Sequence, residues 1–294
     1  SSSTNYYGTY LPGVTITTDG DVAFRADEFN GGGNLGIDAG SFVMESYSTN
    51  SFQASTSMGA IDLTGTPTAQ LGHPSNTANL VVSGLTSSDG SITLNSSGTI
   101  TQTAEIVVPE LNFGSTAAVT LIDSDNDVDA IAAAATVGNF VFVDKDDLEI
   151  GTVGTSNGIT SSGFIRIETV SGALSVTQPL SAAATSTDSV ILAADNDAAA
   201  GTGGDGNVKI LGSGSVSIDS TSRALFYSGT PENSTGLVTE AGGESSSRYL
   251  VERETTLSSV SPAIGSTGKF ALFRQVGQSE PAPAIYSGPL VRTI

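Results

Sequence analysis

Four aspartates alternate with other residues in the segment "DSDNDVD": Asp123, Asp125, Asp127 and Asp129. Carboxylate oxygens crowded on one loop are hard ligands of the kind that calcium prefers. The segment is not an EF-hand, because it lacks the central glycine and the glutamate at the twelfth position, and it does not match the calcium-binding nonapeptide. Aspartate and asparagine also adopt corner conformations and bind nearby amides. The sequence therefore favours a turn here, with a calcium site at these four aspartates as the alternative.

Other residues with chemical potential give weaker signals. The segments "DKDDLE" from Asp144 and "AADNDAAAGTGGDG" from Ala193 are interpreted as turns for the same reason. His73 has no acidic neighbour in "QLGHPSNTANL", which favours a surface residue over a general base. The glycines at 31–33 resemble a phosphate loop but have no following lysine, so a turn is favoured. We expect no catalytic residue, no cofactor-binding residue and no enzyme activity.

The composition narrows the classes of partner. Only 14% of the residues are charged, yet the formal net charge is -20, so Ser, Thr, Asn and Gly supply most of the polarity. An acidic surface repels phosphate backbones and anionic lipid, which argues against nucleic-acid and membrane-surface binding. The chain contains no cysteine, which removes disulfides and thiol chemistry. No stretch of 18 apolar residues is present, so we expect no membrane insertion.

Short strands must position these residues. A turn residue repeatedly introduces apolar/polar alternation, which is the signal of a half-buried strand. Ten segments follow this pattern: "GDVAF" from Gly20, "GAIDL" from Gly59, "GSITL" from Gly90, "GTITQ" from Gly98, "GNFVFV" from Gly138, "GFIRI" from Gly163, "GALSVTQ" from Gly172, "DSVILAA" from Asp188, "GNVKI" from Gly206 and "GSVSID" from Gly214.

Three longer stretches are interpreted as one repeated unit of strand, Ser-Gly corner and strand. They begin at Gly90, Gly163 and Gly206, and such a repeat indicates stacked units. The Asp-Gly pairs at 19, 89 and 205 keep a β-sandwich with hairpins open as an alternative. The alanine run at 131–135 is the one candidate for a helical turn or a packed bend. Short strands with inward Val, Ile, Leu and Phe favour an all-β, right-handed parallel β-helix, or β-solenoid.

Part of the chain resembles a known family. The residues from Ala118, "AVTLIDSDNDVDAIAAAATVGNFVFVDKDDLEIGTVGTSNGITSSGFIRIETVSGALSVTQPLSA", are similar to the repeats of filamentous haemagglutinin-type exoproteins, which are bacterial adhesins exported by two-partner secretion. The similar stretch covers 80–218, roughly half the chain. The segment from Ala224, "ALFYSGTPENSTGLVTEAGGESSSRYLVERETT", resembles the ends of such arrays. The family's Asn-rich secretion domain is not recognisable near the N-terminus, which reads as that of a mature or excised fragment.

These observations predict two regions and a structural role. Residues 1–223 are expected to form the solenoid, and 224–294 a less regular cap with an extended arm. The resemblance implies an extracellular, bacterial cell-surface filament or adhesin stalk. Unpaired strand edges at the solenoid ends predict self-association into filaments, and host surfaces, neighbouring cells or glycans are the other possible partners. Tyrosines near the N-terminus form a carbohydrate-stacking patch or, as we favour, cover the first turns: Tyr6, Tyr7, Tyr10 and Tyr47.

Two other classes of function stay open. One is a β-helical carbohydrate-active enzyme or a tailspike-like glycan binder, which requires three or more carboxylates on one solvent-facing column beside a groove. Only ten lysines and arginines are available for the basic half of such a site. The other is a calcium-stabilised surface-layer or biofilm-matrix protein, which requires the aspartate segment to bind metal.

Overall fold

The fold is a parallel β-solenoid of about 10 turns. The computed structural model describes residues 4–6 (backbone), 13–25, 34–45, 60–75, 79–114, 116–185, 188–201, 206–253 and 257–275. Strands account for 54% of the chain and helix for 5%, and the strands stack as parallel neighbours. The predicted all-β solenoid is therefore confirmed. The alternative of a β-sandwich is excluded, because the pair Thr152–Val153 and Ser156–Asn157 is the sole antiparallel pair within these ranges.

The strands are short apart from one. In the first part of the chain they are β1 Thr4–Tyr6, β2 Val14–Thr17, β3 Asp21–Arg25, β4 Leu35–Asp38, β5 Ser41–Glu45, β6 Ile61–Asp62, β7 Thr68–Gly72, β8 Leu80–Thr86, β9 Ser91–Asn95, β10 Thr99–Phe113, β11 Thr116–Leu121, β12 Asp127–Ala133 and β13 Val137–Asp144.

The second part adds β14 Leu148–Ile150, β15 Thr152–Val153, β16 Ser156–Asn157, β17 Ile159–Ser161, β18 Ile165–Thr169, β19 Leu174–Val176, β20 Pro179–Ala182, β21 Asp188–Ala193, β22 Val208–Ile210, β23 Ser215–Ile218, β24 Arg223–Ser228, β25 Ser247–Tyr249 and β26 Gly268–Phe273. Helix α1 spans Leu237–Ala241, and two 3-10 turns span Glu244–Ser246 and Leu257–Ser259.

Strand pairing arranges the solenoid in four columns. Column A contains the start of β8, the start of β10, β11, β13, β18, β21, β24 and β26. Column B contains β1, β3, β5, β7, β9, the end of β10, the end of β12, β14, β19 and β22. Column C contains β17, β20 and β23. Column D contains β2, β4, β6, the end of β8, the middle of β10 and the start of β12.

The predicted strands all coincide with observed ones, but the three repeated units are not equivalent. The unit from Gly90 runs from column B to column A, the unit from Gly163 from A to B, and the unit from Gly206 from B to C. They share a strand–corner–strand sequence pattern while occupying different corners of a turn. The alanine run is not helical: Ile131–Ala133 end strand β12 and the chain then bends.

Inward side chains form one continuous apolar core. Strand β13 alternates buried and partly exposed residues, with Phe140 and Phe142 both at 0% exposure. Phe113 of the preceding turn meets Phe140 edge to face at 5.0 Å. In the following turn, Ile165 pairs in register with Phe140, and Ile167 pairs with Phe142. Each turn therefore packs on its neighbours, and burial of apolar area supplies the main stabilisation.

Glycine permits one close approach between turns. Gly90 has φ of 72°, in the left-handed region that glycine tolerates without strain. A Cβ at this position would collide with the carbonyl of Pro67 in the preceding turn. The amide of Ser91 donates to that same carbonyl at 3.1 Å. The corner thus needs glycine both for its backbone angle and for the spacing of the turns.

The C-terminal groups close the described end of the solenoid. The amide of Ile210, on column B, donates to Thr235 O at 2.9 Å. The amide of Val216, on column C, donates to Glu240 Oε1 of α1 at 2.9 Å. On column A, β25 pairs with β26. The predicted boundary between 223 and 224 falls inside β24, which pairs with solenoid strands on both sides.

The chain after β25 folds back on the outside of column A. The covering segment, residues 251–253 and 257–264, supplies Val251, Val260 and Ile264 to a second apolar cluster. Their partners include Leu225 and Tyr227, which alternate with inward residues of β24. This covering segment buries an outer sheet face that would otherwise be exposed apolar surface.

Candidate functional site

The aspartates of the opening segment form a turn. The amide of Asp125 donates to Asp123 Oδ1 at 3.1 Å, and the amide of Asn126 donates to Asp123 O at 3.3 Å. Asp127 lies 3.6 Å from the ammonium of Lys145, and Asp129 is exposed on β12. The expected turn is present. Because each carboxylate lies in its own local environment, calcium binding at these aspartates stays a hypothesis.

The buried residue of this turn is Asn126, at 0% exposure. Its Oδ1 accepts hydrogen bonds from the Ile106 amide at 2.9 Å and from Gln102 Nε2 at 2.8 Å. Its Nδ2 donates to Val143 O at 3.0 Å and to Gln102 Oε1 at 3.1 Å. The register of β10 shifts between Gln102 and Ala104, which displaces backbone groups from the ladder. The side-chain amide of Asn126 therefore provides hydrogen-bond partners for backbone groups of both neighbouring turns, those of Ile106 and Val143.

Asp144 performs a related task at the end of β13 in the next turn. Its Oδ1 accepts from the Val128 amide at 3.0 Å and its Oδ2 from the Asp146 amide at 3.2 Å. Burial raises the pKa of Asp144 to about 8, against the opposing effect of these two amides. The interpretation of "DKDDLE" as a turn holds. Its first carboxyl, that of Asp144, is buried and accepts hydrogen bonds from two backbone amides.

An acidic trough runs along the same side of the solenoid. Asp129, Asp146, Asp147 and Asp195 line an open depression of about 660 Å³. Asp195 pairs with the buried guanidinium of Arg274, with 3.1 Å between Oδ2 and Nη2. In the described ranges, no three His, Cys, Asp or Glu side chains are grouped to hold a metal.

The other sequence candidates contribute little. His73 Nδ1 accepts from the Ser75 amide at 3.1 Å, which is a local turn contact. The glycines at 31–33 and the side chains of the N-terminal tyrosines, Tyr6, Tyr7, Tyr10 and Tyr47, lie outside the described residues.

One cleft among the described residues carries no signal in the sequence. Three elements meet there: strand β18, the corner after β21, and the chain after β25. The cleft has a volume of about 530 Å³, and its lining includes Arg166, Glu168, Asn196, Glu252 and Arg253.

Glu168 is the centre of this cleft, at 3% exposure. Its Oε1 accepts from Arg166 Nε at 2.6 Å and from Arg253 Nε at 3.0 Å. Its Oε2 accepts from Asn196 Nδ2 at 3.0 Å. Burial alone would favour the neutral form, but hydrogen bonds and positive charge from the two arginines hold the pKa of Glu168 below its ordinary value.

Further contacts connect the covering segment to the corner. The Arg253 guanidinium lies 5.2 Å from the centre of the Tyr227 ring, within the range of a cation–π interaction. Glu252 Oε2 accepts from the Ala200 amide at 2.8 Å. Both guanidinium groups are bound to Glu168 through Nε, which suits binding. Because Glu168 is ionised and bound by several donors, it is poorly suited to act as a general acid.

Sequence reasoning had no signal for this cluster. Glu168 and Arg253 are 85 positions apart in the sequence, so no local motif contains both of them. Glu168 itself directly follows the predicted strand "GFIRI", at an outward position where a charged residue needs no explanation.

Comparisons with known proteins give no assignment. No family model matches the sequence, and neither a curated protein nor a solved structure is significantly similar to it. Within the described part of the chain, no helix has the length and apolar character needed to cross a membrane.

Proposed function

We propose that the chain is a structural segment of an extracellular bacterial filament or adhesin stalk, related to the filamentous haemagglutinin-type exoproteins. Its task is reach and attachment rather than catalysis. The observation that supports this is the unbroken stack of about 10 turns. At about 4.8 Å between neighbouring strands, such a stack is roughly 50 Å long.

The energetics of stacking suit an extended rod. Each turn contacts only the turns before and after it, so length is added without rearranging a shared core. The apolar interior continues from Val22 to Phe273, and the inward apolar side chains of the described residues form one buried cluster. A rod of this kind can hold a contact surface away from the cell.

Small-angle X-ray scattering of the purified chain tests this proposal, and negative-stain electron microscopy detects assemblies. We expect assemblies longer than the roughly 50 Å of one chain, unchanged by a calcium chelator. Particles no longer than one chain would contradict the proposed filament. Collapse or disassembly on chelation would instead support the calcium-stabilised surface-layer alternative.

Self-association is part of the proposal, and open strand edges support it. In the described ranges, β1 and β2 each pair on one side only, and β25 pairs only with β26. We therefore expect association through these edges, which favours head-to-tail fibres. Light scattering should show a mass that rises with concentration beyond that of a pair. A mass that stops at a pair would contradict head-to-tail fibres, and a strict monomer would remove self-association.

A further inference from the structure

The cleft around Glu168 has a lining that restricts the chemistry of its ligand. Donors and acceptors alternate around it: Arg166, Asn196 and Arg253 donate, while Asp197 and Glu252 present carboxylates. Its non-polar lining consists of small side chains, Ala198 and Ala199. Such a surface offers many directed hydrogen bonds and no pocket for a large apolar anchor.

The mixed charge of the cleft favours neither a net anion nor a net cation. An anion would approach a protein of net charge -20 and meet the carboxylates of Glu168, Glu252 and Asp197. A cation would meet the guanidinium groups of Arg166 and Arg253. A neutral polyol avoids both penalties, because each hydroxyl group can donate to a carboxylate and accept from a guanidinium or an amide.

The donors are fixed before any ligand arrives. Arg166 and Arg253 both bind Glu168 through Nε, and the Tyr227 ring supports Arg253. Asn196 is held by the second oxygen of the same carboxylate. Side chains that are already ordered lose little conformational entropy on binding, which strengthens recognition of a weakly binding neutral ligand.

We propose that the cleft formed by β18, the corner after β21 and the covering segment binds a neutral saccharide on the side of the solenoid. The volume of about 530 Å³ is within the usual range for a small-molecule site and admits a short oligosaccharide segment. The small side chains of Ala198 and Ala199 allow a sugar ring to approach the corner backbone. This site goes beyond the stalk proposal and does not depend on it, because a rod could carry it or lack it.

The experiment is saturation-transfer NMR with the full chain, followed by titration of any saccharide that binds. The neutral probes are cellotetraose, maltotetraose, mannotetraose and tetra-N-acetylchitotetraose, and the acidic probe is trigalacturonic acid. We expect saturable binding of at least one neutral probe and weaker or no binding of the acidic probe.

Two variants locate the binding site. Ala199→Trp fills the cleft at an exposed position, and Ala135→Trp is its control at an exposed bend elsewhere. Arg166→Gln removes a charged donor from the cleft, and Lys145→Gln is its control because it removes an exposed positive charge outside it. We expect each cleft variant to weaken binding about tenfold or more, while each control binds as the parent does.

Thermal midpoints of all variants separate loss of binding from loss of folding. Because Arg253 and Asn196 still pair with Glu168 in Arg166→Gln, that variant is expected to fold. The proposal is overturned if no neutral probe binds, if trigalacturonic acid binds more tightly than they do, or if folded Ala199→Trp binds as well as the parent.

Discussion

At the scale of residues, polar side chains inside the corners hold neighbouring turns together. Asn126 accepts from the Ile106 amide, and one turn later Asp144 accepts from the Val128 amide. The same role is therefore performed by an amide in one turn and by a carboxyl in the next. The carboxyl is the more costly choice, because ionising a buried group requires desolvation.

This difference predicts a pH dependence that one substitution removes. The pKa of Asp144 is about 8 in the folded chain and near 3.8 when unfolded, so the folded state holds an extra proton between these values. Stability therefore falls as pH rises from about 4 to about 8. Asp144→Asn keeps an acceptor for the Val128 amide and has no proton to lose. We expect it to flatten this fall and to exceed the parent's stability at pH 8 by about 2 kcal/mol or more.

Urea denaturation at pH 5 and pH 8 measures this effect. Asp125→Asn is the matched control, because Asp125 belongs to the neighbouring acidic turn but is exposed. If the stability of Asp144→Asn falls between pH 5 and pH 8 as much as that of the parent, Asp144 does not hold the extra proton.

At the scale of elements, glycine corners set the distance between turns. Gly90 and Gly154 both have positive φ, at 72° and 57°. A Cβ at Gly90 would strike the carbonyl of Pro67, whereas a Cβ at Gly154 would meet nothing within 4 Å. Comparing the two separates backbone strain from crowding. We expect Gly154→Ala to cost about 1 kcal/mol of stability through strain, and Gly90→Ala to cost at least about 2 kcal/mol more.

The free energy of unfolding in denaturant provides the comparison. Equal costs at the two positions would show that the turns can shift apart at the Pro67 corner, and that crowding does not restrict this element.

The elements also show what sequence can and cannot predict. Alternation predicts strands because it reflects a local requirement, which is burial of every second side chain. It does not say which corner a strand precedes, so the units from Gly90, Gly163 and Gly206 look alike but occupy different columns. Helix α1 has only five residues, too few for a periodic signal. The Glu168 cluster depends on a contact across the covering segment, which no local pattern encodes.

At the scale of the whole molecule, charge opposes folding. The chain has 30 acidic and 10 basic residues, and the excess of negative charge repels itself in the compact state. Added sodium chloride screens this repulsion, since the Debye length falls to about 3 Å at 1 M salt. We expect the thermal midpoint to rise with sodium chloride.

Scanning calorimetry from low to high salt, repeated with a chelator, measures this response. Potassium chloride is the control for a specific sodium effect and is expected to act equally. A midpoint that falls with salt would mean that attractive ion pairs, such as Arg25 with Glu45, outweigh the net repulsion.

The direction of the backbone hydrogen bonds has a mechanical consequence. These bonds join each turn to the next, so they run along the axis of the solenoid. Tension applied between the two ends concentrates on the outermost turn, which peels away before its neighbour is disturbed. Each detached turn lengthens the molecule by far more than the roughly 4.8 Å that it occupied in the stack. If the chain serves as the proposed stalk, it yields in small steps and dissipates work at each one, so that a sudden pull need not break its attachment.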